Sequence, residues 1–207
     1  MFGRGEVKIY FVRHGESEAN LLREFSNRGF KHGLTARGLQ QVKQLARDLE
    51  GIPFAQIYTS PIKRTFQTAQ ILGEWLNCPV EVADALREFD CGELEGKSDF
   101  GSWEIYDGVF RQWVAGNWAA RIPGGESHLE IQGRFIPFIH GLIQKYRDEN
   151  ILLVGHGGTY RCMFPLVITN LDLDTLSELN IDHTMPMIVE TRPDGLFCTH
   201  WGKFAFD

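Results

Sequence analysis

The chain has only four cysteines, Cys78, Cys91, Cys162 and Cys198, and no two of them form a CxxC pair. That excludes the common zinc and thiol-redox signatures and a disulfide framework, so free thiols in a reducing, cytoplasmic compartment are expected. Long apolar runs are missing too. None approaches the roughly 20 residues of a membrane span, and the opening MFGRGEVKIY lacks a signal-peptide core. Positive charge is scarce: 21 Lys and Arg against 27 Asp and Glu leave a net charge of −6. A nucleic-acid partner, which needs a basic face, is therefore not expected, although a locally basic pocket remains open. The sequence shows no internal repeat and no low-complexity stretch. With 207 residues, 43% of them hydrophobic, residues 1–207 are expected to form one domain with a substantial core. Nothing in the pattern speaks to oligomeric state.

Short apolar runs alternate with helix-period segments. Strands are expected at Val7–Val12, Ala55–Tyr58, Pro79–Val82 and Ile151–Val154. Thr35 is expected to cap a helix reaching about Glu50, with Leu39, Val42, Leu45, Ala46 and Leu49 on its inner face. Ser60-Pro61 reads as an N-cap with proline at the first helical position. Further helices are expected at 127–147 and 158–168, and Met187–Thr191 and Leu196–His200 read as a hairpin around Pro193-Asp194-Gly195. The fold class implied is α/β: a mostly parallel, doubly wound sheet with helices on both faces and an antiparallel edge strand. Residues 91–123 break the rhythm with glycines and six aromatics from Phe100 to Trp118. They are expected to form an inserted cap over the sheet's open end, with a helix near 102–118.

Three expected strands run into basic groups: Arg13-His14, Arg64 within the Ser60 helix, and His156 in Gly155-His156-Gly157-Gly158. Ligands of open parallel sheets bind outside the carboxyl ends of the strands, so these groups could converge there. Their natural guest is a dianion such as a phosphoryl group, which suits arginine's planar fork. A histidine among arginines can stay charged and bind, or lose its proton and attack phosphorus. Glu88, Asp90, Glu93 and Glu95 are candidates for the acid that protonates a leaving oxygen. Asn170, Asp172 and Asp174 lack the glycine and final glutamate of a calcium loop. The other five histidines, His183 among them, are given no partner and read as structural.

Five blocks in order, RHGESEAN from Arg13, SPIKRTFQTA from Ser60, LREFDCGELEG from Leu86, GGES from Gly124 and GHGG from Gly155, resemble the histidine phosphatase (phosphoglycerate mutase-like) superfamily. The resemblance implies that His14 is a phosphohistidine nucleophile. By the same resemblance, Arg13, Arg64 and His156 hold phosphoryl oxygens, Asn20 and Gly157 assist, and Glu88, third in the L-x-E element, serves as acid and then base. Ser26, after Phe25, matches a phosphate-contacting hydroxyl of the mutases or is loop filler. The activity implied is hydrolysis of small-molecule phosphomonoesters with neither metal nor cofactor. The alternatives are a cofactor-dependent phosphoglycerate mutase or a fructose-2,6-bisphosphatase-like enzyme, and, from another class, a silent phospho-ligand-binding module. The mutase pattern is interrupted by Asn27-Arg28 and by Phe89-Asp90-Cys91-Gly92, and Arg111 and Arg121 stand alone rather than as a carboxylate clamp.

Overall fold

The computed structural model describes residues 6–206. A seven-stranded sheet forms its centre: β1 (Lys8–Arg13), β2 (Phe54–Thr59), β3 (Val80–Val82), β4 (Asn150–Gly155), β5 (Pro186–Arg192), β6 (Gly195–Trp201) and β7 (Phe204–Ala205). The spatial order is β3-β2-β4-β1-β5-β6-β7. The first four strands are mutually parallel, and β5, β6 and β7 join antiparallel. The single antiparallel edge strand expected from sequence is thus a three-strand meander. The helices are α1 (Glu18–Leu22), α2 (Ala36–Asp48), α3 (Lys63–Leu76), α4 (Phe100–Val114), α5 (His128–Lys145), α6 (Gly157–Val167) and α7 (Leu173–Glu178). None among the described residues is long and apolar enough to cross a membrane.

Alternation along the central strands builds two cores. Ile9 and Phe11 of β1, Tyr58 of β2, and Ile151 and Leu153 of β4 pack on one face with α5 and α6. Tyr10, Val12, Ile57, Leu152 and Val154 pack on the other with α2 and α3. Successive strand side chains point to opposite faces, so a sheet covered on both sides needs continuous apolar runs. That is why β1 and β4 read as unbroken hydrophobic stretches.

The element ends differ from the sequence expectation where side chains had other partners. α3 begins at Lys63 with Ile62 as its cap, not at Ser60, whose hydroxyl accepts from Ile62 N–H and meets His156. Leu39 lies 39% exposed rather than on the inner face of α2. α1, α7 and β7 were not anticipated; Asp172, part of the rejected calcium pattern, caps α7 by accepting from Thr175 N–H.

α2 positions the segment that follows β1. Gly38 lies so close to it that a Cβ there would stand 2.0 Å from the Glu16 carbonyl oxygen, and a Cβ on Gly15 would stand 2.7 Å from the Gly38 carbonyl oxygen. Two glycines therefore let the helix and the turn after His14 touch backbone to backbone. Gly38→Ala should destabilise the fold by about 1–3 kcal/mol through overpacking, read from denaturant midpoints. An unchanged midpoint would show that this contact is not tight.

Candidate active site

The parallel strands end in register. Arg13 lies opposite Gly155 and Thr59 opposite Val154. The backbone continues the pairing for one residue, with His14 N–H donating to Gly155 O at 3.1 Å and Ser60 N–H to Val154 O at 3.1 Å. His14 and His156 therefore emerge side by side, their ring centroids 5.2 Å apart. Arg64, on the first turn of α3, reaches between them.

Hydrogen bonding fixes which nitrogen of each ring carries the proton. His14 Nδ1 is 2.7 Å from the Gly15 carbonyl oxygen, and its Nε2 receives Arg64 Nε–H at 2.9 Å. A carbonyl only accepts and a guanidinium only donates, so Nδ1 holds the proton and Nε2 presents a lone pair. Arg64 Nη2 donates to His156 Nδ1 at 3.2 Å, leaving Nε2–H to meet Ser60 Oγ at 2.8 Å. Burial pushes the His14 ring well below the ordinary histidine range, assisted by Arg64, His156 and Arg13. His156 is lowered in the same way, by burial and then by Arg64 and Arg13. Both rings are neutral at physiological pH. Burial lowers Arg64 only to about 10, so it stays charged.

Arg64 Nη1 is anchored on the Ser26 carbonyl oxygen at 2.5 Å, with Asn27 Oδ1 3.5 Å from Nη2. The contribution of Ser26 to Arg64 is thus its backbone rather than its hydroxyl. Arg13 donates through Nη1 to Ile181 O at 2.9 Å, while its buried Nε has no partner among the described residues. Glu88 sits on the N-terminus of α6. Its carboxylate accepts from Gly158 N–H at 2.9 Å and Thr159 N–H at 2.6 Å, with Thr159 Oγ1 at 2.8 Å. The positive potential of that helix N-terminus is thereby taken up by the carboxylate.

A cavity of about 170 Å³ joins these groups and is lined by Arg13, His14, Asn20, Arg64, Glu88 and Gly157. His156, 0% exposed, stands behind His14 and Arg64 and is not part of the lining. The Asn20 carboxamide oxygen accepts from the Ser17 N–H and hydroxyl and so caps α1; only its amide nitrogen is uncommitted. Glu95 accepts from the Asn27 and Arg28 N–H groups, and exposed Glu93 lies outside the lining.

Several residues here escaped the sequence reading. Trp103 and Tyr106 of α4 form part of the wall. A second recess of about 400 Å³ shares Arg13, Tyr106 and Gly157 with the first and adds Asp107, Arg161 and Asp182. His183, given no partner from sequence, packs 5.4 Å from the His14 ring, and its Nδ1 lies 2.9 Å from the His14 carbonyl oxygen. Its signal was invisible because residue 183 reaches the site only through the bridge it forms with Arg13.

The doubly wound sheet, with two neutral histidines and two arginines at the ends of its parallel strands, defines a phosphoryl-handling site. Comparison with known proteins agrees. The Histidine phosphatase superfamily (branch 1) profile matches residues 9–203. "Putative phosphoserine phosphatase 2" of Hydrogenobacter thermophilus is 31% identical over 176 residues, 85% of each chain. "Probable phosphoglycerate mutase GpmB" of Salmonella choleraesuis is 32% identical over 162 residues, 78% of this chain and 75% of that one. Among solved structures, Bacillus stearothermophilus YhfR superposes with a TM-score of 0.80 at 25% identity, covering 96% of this chain and 98% of that one. The chain belongs to the histidine phosphatase superfamily and is a phosphoric monoester hydrolase of that kind.

The buried histidines give stability a definite pH dependence. His14, His156 and His183 stay neutral when folded, the last pushed down to about 4 chiefly by burial, whereas unfolded histidine binds a proton near 6.5. Below about pH 6.5 the unfolded state binds more protons, so stability should fall from there down through about pH 4, and His14 and His156 carry the loss lower still. His183→Gln should flatten the slope between pH 6.5 and 4 in denaturant titrations. An unchanged slope would place a charged or solvated imidazole at 183.

Proposed function

We propose that the protein hydrolyses small phosphomonoesters in two displacements, with Nε2 of His14 as the phosphoryl acceptor. The observation that carries this reading is the neutral His14 ring. Its Nδ1–H is held by Gly15, and its Nε2 lone pair is presented on a cavity wall shared with two guanidiniums and two carboxyl groups, of which Glu24 is engaged by Lys31 and His32 and Glu88 is not paired with a cation. An incoming phosphoryl group takes the Arg64 Nε–H away from the lone pair and accepts from the unpartnered Arg13 Nε. Nε2 then attacks phosphorus, the phosphorus–oxygen bond to the alcohol breaks, and Glu88, having taken up the proton that the phosphate monoanion brings into the site, passes it to the departing oxygen. The Gly15 carbonyl, bonded to Nδ1–H, steadies the positive charge that the phosphorylated ring acquires. In the second step Glu88 removes a proton from water, the water oxygen attacks phosphorus, and the phosphorus–nitrogen bond breaks to return the lone pair to Nε2. The arginines supply the positive charge that the transition state needs, and among the described residues no cluster of three His, Cys, Asp or Glu suits a metal.

The leaving group would occupy the 400 Å³ recess, with residues 91–123 as the cap that closes it. Asp107 and Asp182 have no ion-pair or hydrogen-bond partner among the described residues, and Arg161 makes only contacts of 3.2 and 3.4 Å to the Leu179 and Leu176 carbonyls. With Arg13 at the phosphoryl end, Arg161 and the two aspartates are left to face the leaving group, and they suit an alcohol that carries both a carboxylate and an ammonium better than a purely anionic one. A relative named for phosphoserine points the same way. The mutase reading, supported by the name of another relative, places a carboxylate and no ammonium beside the two aspartates.

His14→Ala should lower turnover more than about 10³-fold while leaving the fold intact, and acid-labile phosphate trapped on the wild-type protein should vanish. Activity should survive EDTA. O-phospho-L-serine should be hydrolysed with a higher kcat/KM than glycerol 3-phosphate or 3-phosphoglycerate. Formation of 2-phosphoglycerate faster than free phosphate would reverse the ranking of phosphatase over mutase.

Glu88→Gln separates the acid from its neighbours. Acid catalysis is worth about 10²–10⁴-fold, so the variant should lose most on an alkyl phosphate and less on p-nitrophenyl phosphate, whose alcohol departs without a proton. Glu93→Gln or Glu95→Gln showing this dependence in place of Glu88→Gln would reassign the acid.

A further inference from the structure

The GGES segment takes no part in the chemistry above, yet its glutamate accepts four hydrogen bonds, as many as Glu88 does. Glu126 Oε1 accepts from Arg87 Nη2 at 2.6 Å and from Arg134 Nε at 3.0 Å. Its Oε2 accepts from the Asp90 backbone N–H at 2.9 Å and from Arg134 Nη2 at 3.2 Å. Arg134 in turn donates Nη1–H to the Ala85 carbonyl oxygen at 2.7 Å. Only 11% of the Glu126 side chain is exposed, against 12% for Arg134 and 31% for Arg87. The glycine before it is required by the same contact. A Cβ on Gly125 would stand 2.4 Å from the Asp90 carbonyl oxygen, and the backbones pair through Glu126 N–H to Asp90 O and Glu93 N–H to Pro123 O, each at 2.9 Å.

The bonds to Arg87 and the Asp90 backbone, with the one from Arg134 to the Ala85 carbonyl, tie Glu126 and its Arg134 partner to the chain immediately around Glu88, at residues 85, 87 and 90. The carboxyl of Glu88 itself is held at its far end by two amides of α6 and the Thr159 hydroxyl. To reach a leaving oxygen it must loosen those bonds, and its backbone then has to stay in place without them. We propose that Glu126 is the positioning residue of the general acid. It fixes the backbone on both sides of Glu88, so that the carboxyl can exchange its amide partners for substrate while its Cα stays where it is. Arg134 is the brace: being charged and nearly buried, it locks the Glu126 carboxylate in the one orientation in which Oε1 faces Arg87 and Oε2 faces Asp90 N–H. This inference rests on Glu88 being the acid, as argued above.

Glu126→Gln substitutes an amide NH₂ for one oxygen and so sets a donor against donors, freeing either residue 87 or residue 90. Misplacement of a catalytic group by about 1 Å can cost about 10²-fold. The variant should therefore lose about that much in kcat on an alkyl phosphate, with KM little changed and a much smaller loss in the p-nitrophenol burst. A purely structural lesion would lower both substrates alike. The double variant E88Q/E126Q should be no slower on the alkyl phosphate than E88Q alone, because Glu126 acts only through Glu88. Arg87→Met, which removes a single half-exposed strut, should show the same dependence on leaving group at smaller size and keeps the test open if E126Q folds poorly. Equal losses on both substrates, or losses that multiply in the double variant, overturn the proposal. If E88Q itself shows no leaving-group dependence while E126Q does, the acid assignment fails instead, and the segment held by Glu126 serves another residue.

Discussion

The Arg64 guanidinium is the contact on which the site depends. It is 5% exposed and touches four groups from three separate stretches of chain: His14 Nε2, His156 Nδ1, the Ser26 carbonyl and Asn27 Oδ1. A buried cation without a carboxylate partner is costly unless its donors are satisfied. Here the satisfaction comes from neutral acceptors, and two of them are imidazole lone pairs. The arrangement enforces itself: burial, helped by the charge of Arg64, keeps both histidines unprotonated, and only unprotonated histidines can accept from Arg64. One cation thus sets the tautomer of both rings and leaves Nε2 of His14 with the lone pair that the proposed mechanism uses.

Acid chemistry is kept apart from this basic core by the start of α6. Glu88 rests on the amides of Gly158 and Thr159, where the helix dipole favours a carboxylate. Those are the amides that a free phosphate would otherwise find. The helix N-terminus therefore holds the carboxylate proposed as the acid, and in that reading the guanidiniums are left to take the anion. On the opposite side the acid's backbone is tied to the start of α5 through Glu126, so the segment carrying Glu88 is gripped between two helices.

Much of this could be read in the sequence because the chemistry depends on short local patterns. β1 and β4 are buried on both faces and so show as plain apolar runs, and the residues that follow them, His14 and His156, are placed by the strand ends alone. Other features depended on side-chain partners that no periodicity reports. The start of α3 moved because Ser60 is engaged with His156 rather than with a helix end. Asn20, expected on phosphate, spends its oxygen on Ser17. His183, Arg161 and Asp182 come from segments with no recognisable spacing relative to His14. They reach the site through the β1–β5 pairing and the return of α6, contacts more than a hundred residues apart for His183 and Arg13. The first turn of α2, capped by Thr35 as expected, and the hairpin ends followed capping and turn chemistry closely, whereas α1 was too short to show a period.

The strand order has a further consequence, for folding. β4 enters the sheet between β1 and β2, although it is made nearly a hundred residues after β2. His14 and Arg64 are both synthesised early, but the carbonyls of Gly155 and Val154, which fix the backbone at His14 and Ser60, arrive only when β4 slots in. Contacts of such separation in sequence close slowly. A nascent or partly folded chain therefore holds a solvated His14 with an ordinary proton affinity and no paired arginine. If His14 is the nucleophile, as proposed, it comes into being with the last parallel strand, and catalytic competence then reports the completed sheet rather than any fragment of it.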